Sequence, residues 1–341
     1  MKNLCILLLS VFLASCASKE APHVVDFPRE ISVNEYDSLP INLLNPAQIF
    51  VSDKYIAVLV RHEDKMIWVY DTQSHEHIAS FVALGRGPNE VLQLNRIGQT
   101  DMSCGNLKLK VQSFPEFIAW LDIDASIREN KTVFTDKVEF DGRQSRSSNM
   151  LYAANGVYYL NDSSKLLMFM DPDRSGNFQY NPSPFSLIFD LERRDISDTL
   201  YWYSHPQPRA PMILFSSMAG MSQNRKYLGR ANRYINSIVI GNIEENRVKT
   251  IGFDSRATDL RKAEQEKATY FDEASANNDY FFAIRHTASE TSSEIWVVDW
   301  DGEPVAKIHV PLKLRAMCVT DRNQIYAITN EDRIVMFDSG L

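Results

Sequence analysis

Short runs of apolar residues that end at Asp or Asn recur six times along this chain of 341 residues. The run at 295–299, Ile-Trp-Val-Val-Asp, is the clearest example, and each run follows a second apolar run after a polar gap. The six closing residues are Asp71, Asp122, Asp171, Asn242, Asp299 and Asp338. Consecutive apolar residues indicate strands buried on both faces, and the closing residue indicates a turn. The pattern therefore predicts six β-hairpins, with each closing residue at the end of a third strand.

The closing residues follow one another at intervals of roughly 40 to 70 residues, which suits the four-stranded blade of a β-propeller. Two long intervals contain insertions, an aromatic and Pro-rich segment at 201–208 and the segment Asp259–Phe271, whose apolar spacing predicts a short outer helix. The last interval leaves room for only three strands. We therefore expect a strand within Val24–Val33 to complete the sixth blade and close the ring.

A doubly wound α/β fold is the competing interpretation, but it needs helices of about ten or more residues between its strands. The gaps between the apolar runs are mostly turns. The predicted fold class is therefore all-β, a six-bladed β-propeller of four-stranded antiparallel blades that is closed by an N-terminal strand. Residues 24–341 form this single domain.

The first 15 residues have the features of a signal peptide, because Lys2 precedes the apolar run Leu4–Leu13, which is too short to span a bilayer. The sequence at 13–16, Leu-Ala-Ser-Cys, resembles the lipobox of bacterial lipoproteins. Cys16 is then the lipidation site, and residues 16–23 form a lipidated polar tether. An ordinary thiol at Cys16 after a soluble-export signal is the alternative. Acyl chains would attach the domain to a membrane that it does not cross.

Composition limits the class of partner. The formal net charge is −8 and the pI is about 5.5, which argues against nucleic acid as a partner. A hydrophobic fraction of 44% allows a sizeable core. Among the cysteines of the mature chain, Cys104 and Cys318 fall in blades that are not neighbours, so no disulfide between them is predicted.

Two segments, together with the lipobox and the six hairpins, resemble the TolB-like six-bladed β-propeller lipoproteins typical of Bacteroidetes. Gly85–Glu90 (GRGPNE) resembles the family's Gly-x-Gly-Pro-x-Glu loop, with Asn89 where a Gly is common, and Met221–Leu228 lies in the fourth unit. The resemblance covers nearly the whole mature chain and implies an outer-membrane lipoprotein of the bacterial cell envelope. It brings no catalytic residues, and which side of the membrane the domain faces stays open.

Motifs that carry chemistry are scarce. The GRGPNE segment lacks the spacing of a phosphate-binding P-loop, and a tight turn is its simpler interpretation. His75-Glu76-His77 has no third ligand nearby and is interpreted as a solvated turn. No catalytic residue, metal or cofactor is predicted. Tyr201, Trp202 and His205 form a candidate partner-binding loop, for which packing on the propeller is the alternative.

Strand direction separates the connections of a propeller onto two faces. The link face carries the turns after the second strands and the links between blades, and the hairpin face carries the closing Asp and Asn residues. Cations gather on the link face, where the candidate ligand-binding residues are Arg61, His62, Arg86, Asn89, Glu90, Arg230, Arg285 and His286. Arginine forks at one channel mouth favour an anionic ligand. Pairing of these arginines with Glu63, Asp64 and Glu90 is the alternative.

The sequence thus predicts a membrane-anchored module that binds a small anionic ligand or an envelope protein. One alternative is a propeller hydrolase or lyase with a metal in the central channel, which requires several ligands to converge there. A purely structural envelope protein is the other alternative.

Overall fold

Six β-sheets form the blades of a propeller in the computed structural model of the chain. The structure describes residues 25–102, 105–113, 116–139, 154–160, 164–170, 185–202, 212–254, 260–266 and 268–341. Two short strands precede the first blade, β1 (Glu30–Ser32) and β2 (Asp37–Ser38). The predicted fold, a six-bladed propeller of four-stranded antiparallel blades, is confirmed.

Blades 1 and 2 each carry an addition to the four-stranded plan. Blade 1 consists of β3 (Pro46–Val51), β4 (Tyr55–Val60), β5 (Lys65–Asp71), β6 (His77–Leu84) and the short β7 (Glu90–Val91). Strand β7 pairs in parallel with β6. Blade 2 consists of β8 (Thr100–Asp101), β9 (Lys108–Ser113), β10 (Phe117–Asp122) and β11 (Phe134–Glu139), with helix α1 (Ile123–Glu129) before its last strand. Asp122 caps α1 by accepting a hydrogen bond from Ala125 N at 2.8 Å.

Blade 3 corrects the order predicted for its strands. It consists of β12 (Ala154–Tyr159), β13 (Lys165–Met170), β14 (Phe185–Asp190) and β15 (Asp195–Tyr201). The apolar runs at 157–160 and 167–170 are therefore its first and second strands, not its second and third. Buried strands look alike in sequence whatever their rank within a blade, so the pattern identified a real hairpin but misplaced it by one strand.

Blades 4, 5 and 6 complete the ring, and the sheet of blade 5 has β1 as a fifth strand. Blade 4 consists of β16 (Ser217–Met221), β17 (Tyr227–Asn232), β18 (Ser237–Asn242) and β19 (Arg247–Gly252). Blade 5 consists of β20 (Phe271–Ala276), β21 (Tyr280–Arg285), β22 (Ser293–Asp299) and β23 (Pro304–Val310). Blade 6 contributes β24 (Leu314–Val319), β25 (Gln324–Thr329) and β26 (Ile334–Asp338).

An N-terminal strand closes the ring as predicted, but it is not within 24–33. Strand β2 pairs antiparallel with β26 and completes blade 6, while β1 pairs in parallel with the outer strand β23 of blade 5. The apolar residues Ile31 and Val33 give β1 the stronger strand signal in the sequence, whereas Asp37 and Ser38 are polar and exposed. Backbone pairing to an open edge, rather than apolar content, therefore selects the closing segment.

The core is divided between the blades. Six clusters of buried apolar side chains lie one at each of the six interfaces between neighbouring blades. Close approach at these interfaces requires glycine, because a Cβ at Gly229 would overlap the ring of Phe281, and one at Gly241 would lie 2.7 Å from Trp202 Cζ3. Burial between blades is what holds the ring together.

Short helices occupy the links on either side of blade 4. A 3₁₀ helix (Met212–Phe215) precedes the blade, and α2 (Leu260–Glu266) follows it, which confirms the helix predicted within 259–271. Phe215 and Ala263 belong to one small apolar cluster that joins the two links. In the part of the chain that the structure describes, no helix is long and apolar enough to cross a membrane.

The thiol of Cys318 is free and buried in β24. Burial raises its pKa to about 11, so it stays protonated at neutral pH. Cys104 lies outside the described residues.

Candidate functional site

The inner strands surround a narrow channel along the propeller axis. A cavity of about 60 Å³ lies between β3, β8, β16, β20 and β24. Its polar lining consists of Gln48, Arg96, Gln99, Thr100, Gln223, Glu273 and Ser275. Because one water needs about 10–15 Å³ of cavity volume on this measure, the cavity has room for only a few waters. An organic ligand would therefore bind at a mouth of the channel rather than inside it.

Two glutamines join the inner strands of blades 1, 2 and 3. The amide of Gln48 in β3 donates to Ile97 O at 2.9 Å and accepts from Ile97 N at 2.8 Å. Gln99 makes the same pair of bonds with Tyr159 in β12, at 2.7 and 2.9 Å. Each glutamine thus replaces a backbone partner across a gap between blades, which fixes the channel wall where Arg96 is attached.

An ion pair crosses the channel at its link-face end. The guanidinium of Arg96, on the link from blade 1 to blade 2, contacts the carboxylate of Glu273 in β20 of blade 5. Blades 2 and 5 are opposite in a ring of six, so the pair spans the axis. The side chain of Glu273 is 5% exposed and that of Arg96 is 38% exposed, which places the carboxylate inside and the guanidinium towards solvent. The pair closes this mouth.

Other groups shape the electrostatic environment of Arg96. Burial lowers the pKa of the Arg96 guanidinium by desolvation. The nearby charge of Arg61 lowers this pKa further, whereas the electrostatic interaction with Tyr158 raises it. Arg61 and Arg96 are thus two cations on one rim, with Glu273 as the carboxylate paired to one of them. A rim with this charge favours anions.

At the opposite end of the channel, blade 4 reaches over blade 3 to blade 2. Arg225 Nη2 contacts Asp101 Oδ2 at 2.5 Å, and its Nη1 donates to Leu160 O at 3.1 Å. The guanidinium also stacks 5.0 Å from the ring of Trp120. This buried arginine ties three blades together on the hairpin face.

A wider pocket opens beside this tie, on the hairpin face. Its volume is about 300 Å³, and it is lined by Val51, Ser52, Asp53, Thr72, Met102, Gly105, Gln223, Thr320, Asp321, Arg322, Gln324 and Tyr326. Met102 and Gln223 also line the channel cavity, so the pocket is the hairpin-face mouth of the channel. The two mouths therefore differ, one closed by an ion pair and the other open.

Of the predicted link-face residues, Arg61, His62, Arg86 and Asn89 are exposed. Arg61 and His62 follow the second strand β4, and Arg86 and Asn89 lie in the link after β6, so all four belong to the link face. No ion pair joins Arg61 or Arg86 to an acid of the described chain. Their role in ligand binding stays a prediction.

The GRGPNE loop holds itself in shape. The carboxylate of Glu90 accepts a hydrogen bond from Gly87 N at 2.7 Å, and Glu90 N donates to Gly87 O at 3.1 Å. A Cβ at Gly85 would overlap this carboxylate, and one at Gly87 would lie 3.0 Å from it. The two glycines are therefore required by the position of Glu90, whose charge is engaged by the loop rather than by Arg86.

Two of the predicted arginines are part of the packing between blades. Arg230 donates to Ser217 Oγ at 2.9 Å and stacks 4.7 Å from the ring of Phe169. Arg285 donates to Asn236 Oδ1 at 2.7 Å and lies 4.5 Å from the ring of Trp296. Desolvation by burial lowers the pKa of Arg285. Both guanidinium groups already have partners within the protein.

His286 and the aromatic segment have different environments. Nδ1 of His286 lies 2.8 Å from Asp272 Oδ2, so its ring also has an internal partner. Trp202 is fully buried, donates to Ser186 Oγ at 2.8 Å and is not available to a partner protein, as the packing alternative proposed. Tyr201 is 51% exposed. His205 lies outside the described residues.

Metal-binding clusters are not observed in the part of the chain that the structure describes. No three His, Cys, Asp or Glu side chains converge there. His75 lies in the turn before β6 with a φ of 59°, whereas His77 begins β6 and its Nε2 lies 2.9 Å from Ser80 Oγ. The described channel lining contains one carboxylate, that of Glu273, which is paired with Arg96.

Sequence reasoning missed Arg96, Glu273 and Lys110. Lys110 in β9 is 2% exposed, donates from Nζ to Val157 O at 2.6 Å and lies 4.7 Å from the ring of Tyr158. Burial lowers the pKa of its amine to about 7. A charged residue inside the apolar run 107–111 was the available signal for Lys110. For Arg96, no sequence feature marks which residue of a long link turns inward.

Comparison with known proteins supports the fold. No protein-family model matches the sequence, and no curated protein matches it. A member of the DUF4221 family from Bacteroides vulgatus matches with a TM-score of 0.54 at 10% identity, over 90% of this chain and 96% of that one. A Bacteroides fragilis protein described as exported matches with a TM-score of 0.50 at 10% identity, over 89% and 93% of the two chains. At these identities the likeness concerns the fold alone.

Proposed function

We propose that this chain is a lipid-anchored binding module of the bacterial cell envelope, similar to the TolB-like propeller lipoproteins, and that its link face binds an anionic group. One observation carries the proposal. Arg61 and Arg86 are exposed on this face without an acidic partner among the described residues, and Arg61 stands close enough to Arg96 to lower its pKa. An anion on this rim would relieve the repulsion between the cations.

The conformation of the GRGPNE loop supports the same proposal. Glu90 is held by Gly87 N, so the loop is preorganised and Arg86 is left free of that carboxylate. A preorganised loop loses less conformational freedom when a ligand binds. Guanidinium groups suit carboxylates and phosphates because their planar forks form two parallel hydrogen bonds. The bound group would belong to a small ligand or to an acidic segment of an envelope protein.

Titration calorimetry of the full-length protein in detergent tests the anion site, with pyrophosphate and citrate as probes. We expect binding that weakens as salt is added, and a loss of about tenfold or more in affinity for the double variant Arg61→Ala/Arg86→Ala. Arg193→Ala is the matched control, because Arg193 is also an exposed arginine but lies in a turn of the hairpin face. Equal affinities for both variants, or no binding of either probe at low salt, would reject the anion site.

The anchor is tested separately, since Cys16 lies outside the described residues. Export and lipidation are inferred from the signal-peptide pattern and the Leu-Ala-Ser-Cys sequence, and one structural neighbour is itself described as exported. Cys16→Ala should lack the lipid mass and leave the detergent-extracted membrane fraction. Unchanged membrane retention, together with no lipid mass on the wild type, would contradict lipid anchoring.

A further inference from the structure

The hairpin-face pocket has the dimensions of a small-ligand site. Its volume of about 300 Å³ is at the lower end of the range for such sites, about 300–1,000 Å³, and far exceeds the 60 Å³ of the channel behind it. Blade 6 forms one wall and blade 1 the other, through the turns after their first strands. These turns are short, so the walls are fixed by the blades themselves.

The lining of this pocket is polar on several sides. Carboxylates come from Asp53 and Asp321, a guanidinium from Arg322 and amides from Gln223 and Gln324. Arg322 and Asp53 are an exposed pair, with 3.6 Å between Nη2 and Oδ1. An exposed ion pair of this kind contributes little to stability and can exchange its partners for a ligand.

Tyr326 adds a hydroxyl group that a ligand in the pocket could use. Its side chain lines the pocket and is only 6% exposed, yet its hydroxyl has no hydrogen-bond partner in the described chain. The hydroxyl oxygen itself keeps some contact with solvent, so it can form a hydrogen bond with a group from outside the protein. A ligand hydroxyl in the pocket would supply the missing partner.

Electrostatics selects the charge of that ligand. Burial raises the pKa of Asp321, and the charges of Asp279 and Asp53 raise it further, while a hydrogen bond from Asn278 N lowers it. The lining contains two carboxylates, those of Asp53 and Asp321, against one guanidinium, that of Arg322, so its formal net charge is negative. An anion would be repelled here, and a neutral or cationic ligand would be accepted.

We propose that the hairpin-face pocket binds a small, hydroxyl-rich ligand of monosaccharide size, either neutral or carrying an amine. Carboxylates and amides accept and donate the hydrogen bonds that neighbouring hydroxyl groups offer. Val51 and Met102 supply an apolar surface for the carbon skeleton. This site shares no residue with the anion site on the link face, so each stands or falls without the other.

The test uses the full-length protein in detergent and a set of sugars that differ in charge. Glucose, galactose and mannose are the neutral probes, glucosamine is the cationic one and glucuronate is the anionic one. Saturation-transfer NMR and calorimetry should detect at least one neutral or cationic sugar at millimolar concentration, and no glucuronate. Failure of every neutral and cationic probe, or equal binding of glucuronate, would overturn the proposal.

Two conservative variants assign the binding to this pocket. Asp321→Asn should weaken the bound sugar about tenfold and Tyr326→Phe about threefold, which correspond to a charged and a neutral hydrogen bond. The matched controls are Asp301→Asn, in an exposed turn of the same face, and Tyr201→Phe, an exposed tyrosine. Thermal melting verifies that each variant is folded. Sugar binding that none of these variants changes would place the ligand elsewhere and reject the pocket.

Discussion

The two mouths of the channel differ in width and in charge, although the same inner strands lead to both. At the link face, Arg96 and Glu273 close the axis, and the exposed Arg61 lies near Arg96. At the hairpin face the channel widens into a pocket of about 300 Å³ whose lining contains two carboxylates and one guanidinium. The comparison teaches that a ring of similar strands specifies a scaffold, while the connections at its two ends specify separate chemistry.

Opening the ring should have the largest effect, because both mouths depend on closure. Ile41 is 3% exposed and packs between blades 6 and 1, next to the closing strand β2. Ile41→Ala should lower the free energy of unfolding by about 2–4 kcal/mol, measured by chemical denaturation. Ile31→Ala on β1 is the control, since Ile31 is only half-buried. Equal losses for the two variants would mean that β1 contributes as much to closure as β2.

Breaking the axial ion pair should have the next largest effect, and only at the link-face mouth. Glu273→Gln leaves the Arg96 charge without its carboxylate and should lower the free energy of unfolding by about 1–3 kcal/mol. Glu303→Gln, which removes an exposed pair with Lys249, should cost less than about 0.5 kcal/mol.

A second substitution sharpens this test. Replacing the orphaned cation as well, in Arg96→Met/Glu273→Gln, should recover part of the loss, because no unpaired charge then remains in the channel. If the Glu273 and Glu303 variants melt alike, the axial pair does not close the mouth.

The pH dependence of stability should have opposite signs for Lys110, which is buried between blades 2 and 3, and for Asp321 in the hairpin-face pocket. Lys110 has a pKa of about 7 in the fold, against about 10.4 in an unfolded chain. Between these pH values the unfolded chain binds the extra proton, so the free energy of unfolding rises with pH by up to about 1.4 kcal/mol per unit. The free energy of unfolding of Lys110→Met should therefore exceed that of the wild type most below pH 7, and this difference should vanish towards pH 10.

Asp321 should behave in the opposite sense, because its pKa is raised in the fold. Above the unfolded value of about 3.9, the folded chain holds a proton that the unfolded chain has lost. Its contribution to stability is therefore complete below that pH and disappears as the pH rises through the folded pKa. Asp321→Asn should remove this dependence, which denaturation curves over the acid range would measure. A parallel pH profile for variant and wild type would contradict it.

The smallest effect concerns the GRGPNE loop on the link face. Gly85→Ala should displace the Glu90 carboxylate from Gly87 N, cost about 1 kcal/mol and speed hydrogen exchange at the Gly87 amide. In a Glu90→Ala background, the same glycine substitution should have little further effect. If the two substitutions lower the free energy of unfolding additively, the Glu90 carboxylate is not the reason that position 85 requires glycine.

Most of the architecture was predictable from the sequence, because strands buried on both faces leave an unmistakable apolar pattern. Two points were not. The hairpin of blade 3 was misplaced by one strand, since apolar runs do not encode rank within a sheet. The closing strand was assigned to 24–33 rather than to β2, which has only two exposed polar residues and is defined by its backbone bonds to β26.

The sites were less predictable, because they depend on which side chains turn towards one another. Strand direction correctly assigns Arg61 and Arg86 to one face, yet the same reasoning could not separate them from Arg230 and Arg285, which pack on aromatic rings between blades. The meeting of Arg96 with Glu273 joins residues 177 positions apart in sequence, from opposite blades. Only the closed ring brings such residues together.

The position of β1 has a mechanical consequence. Val25 N donates to Gly252 O at 3.3 Å, Phe27 packs 5.0 Å from Trp296, and β1 then runs parallel to β23 along the rim of the propeller. Tension applied to the chain ahead of Val25 would load these contacts first, and β1 would resist it in shear along the length of blade 5. The seam between β2 and β26 lies farther along the chain, so it would carry force only after β1 had been stripped away.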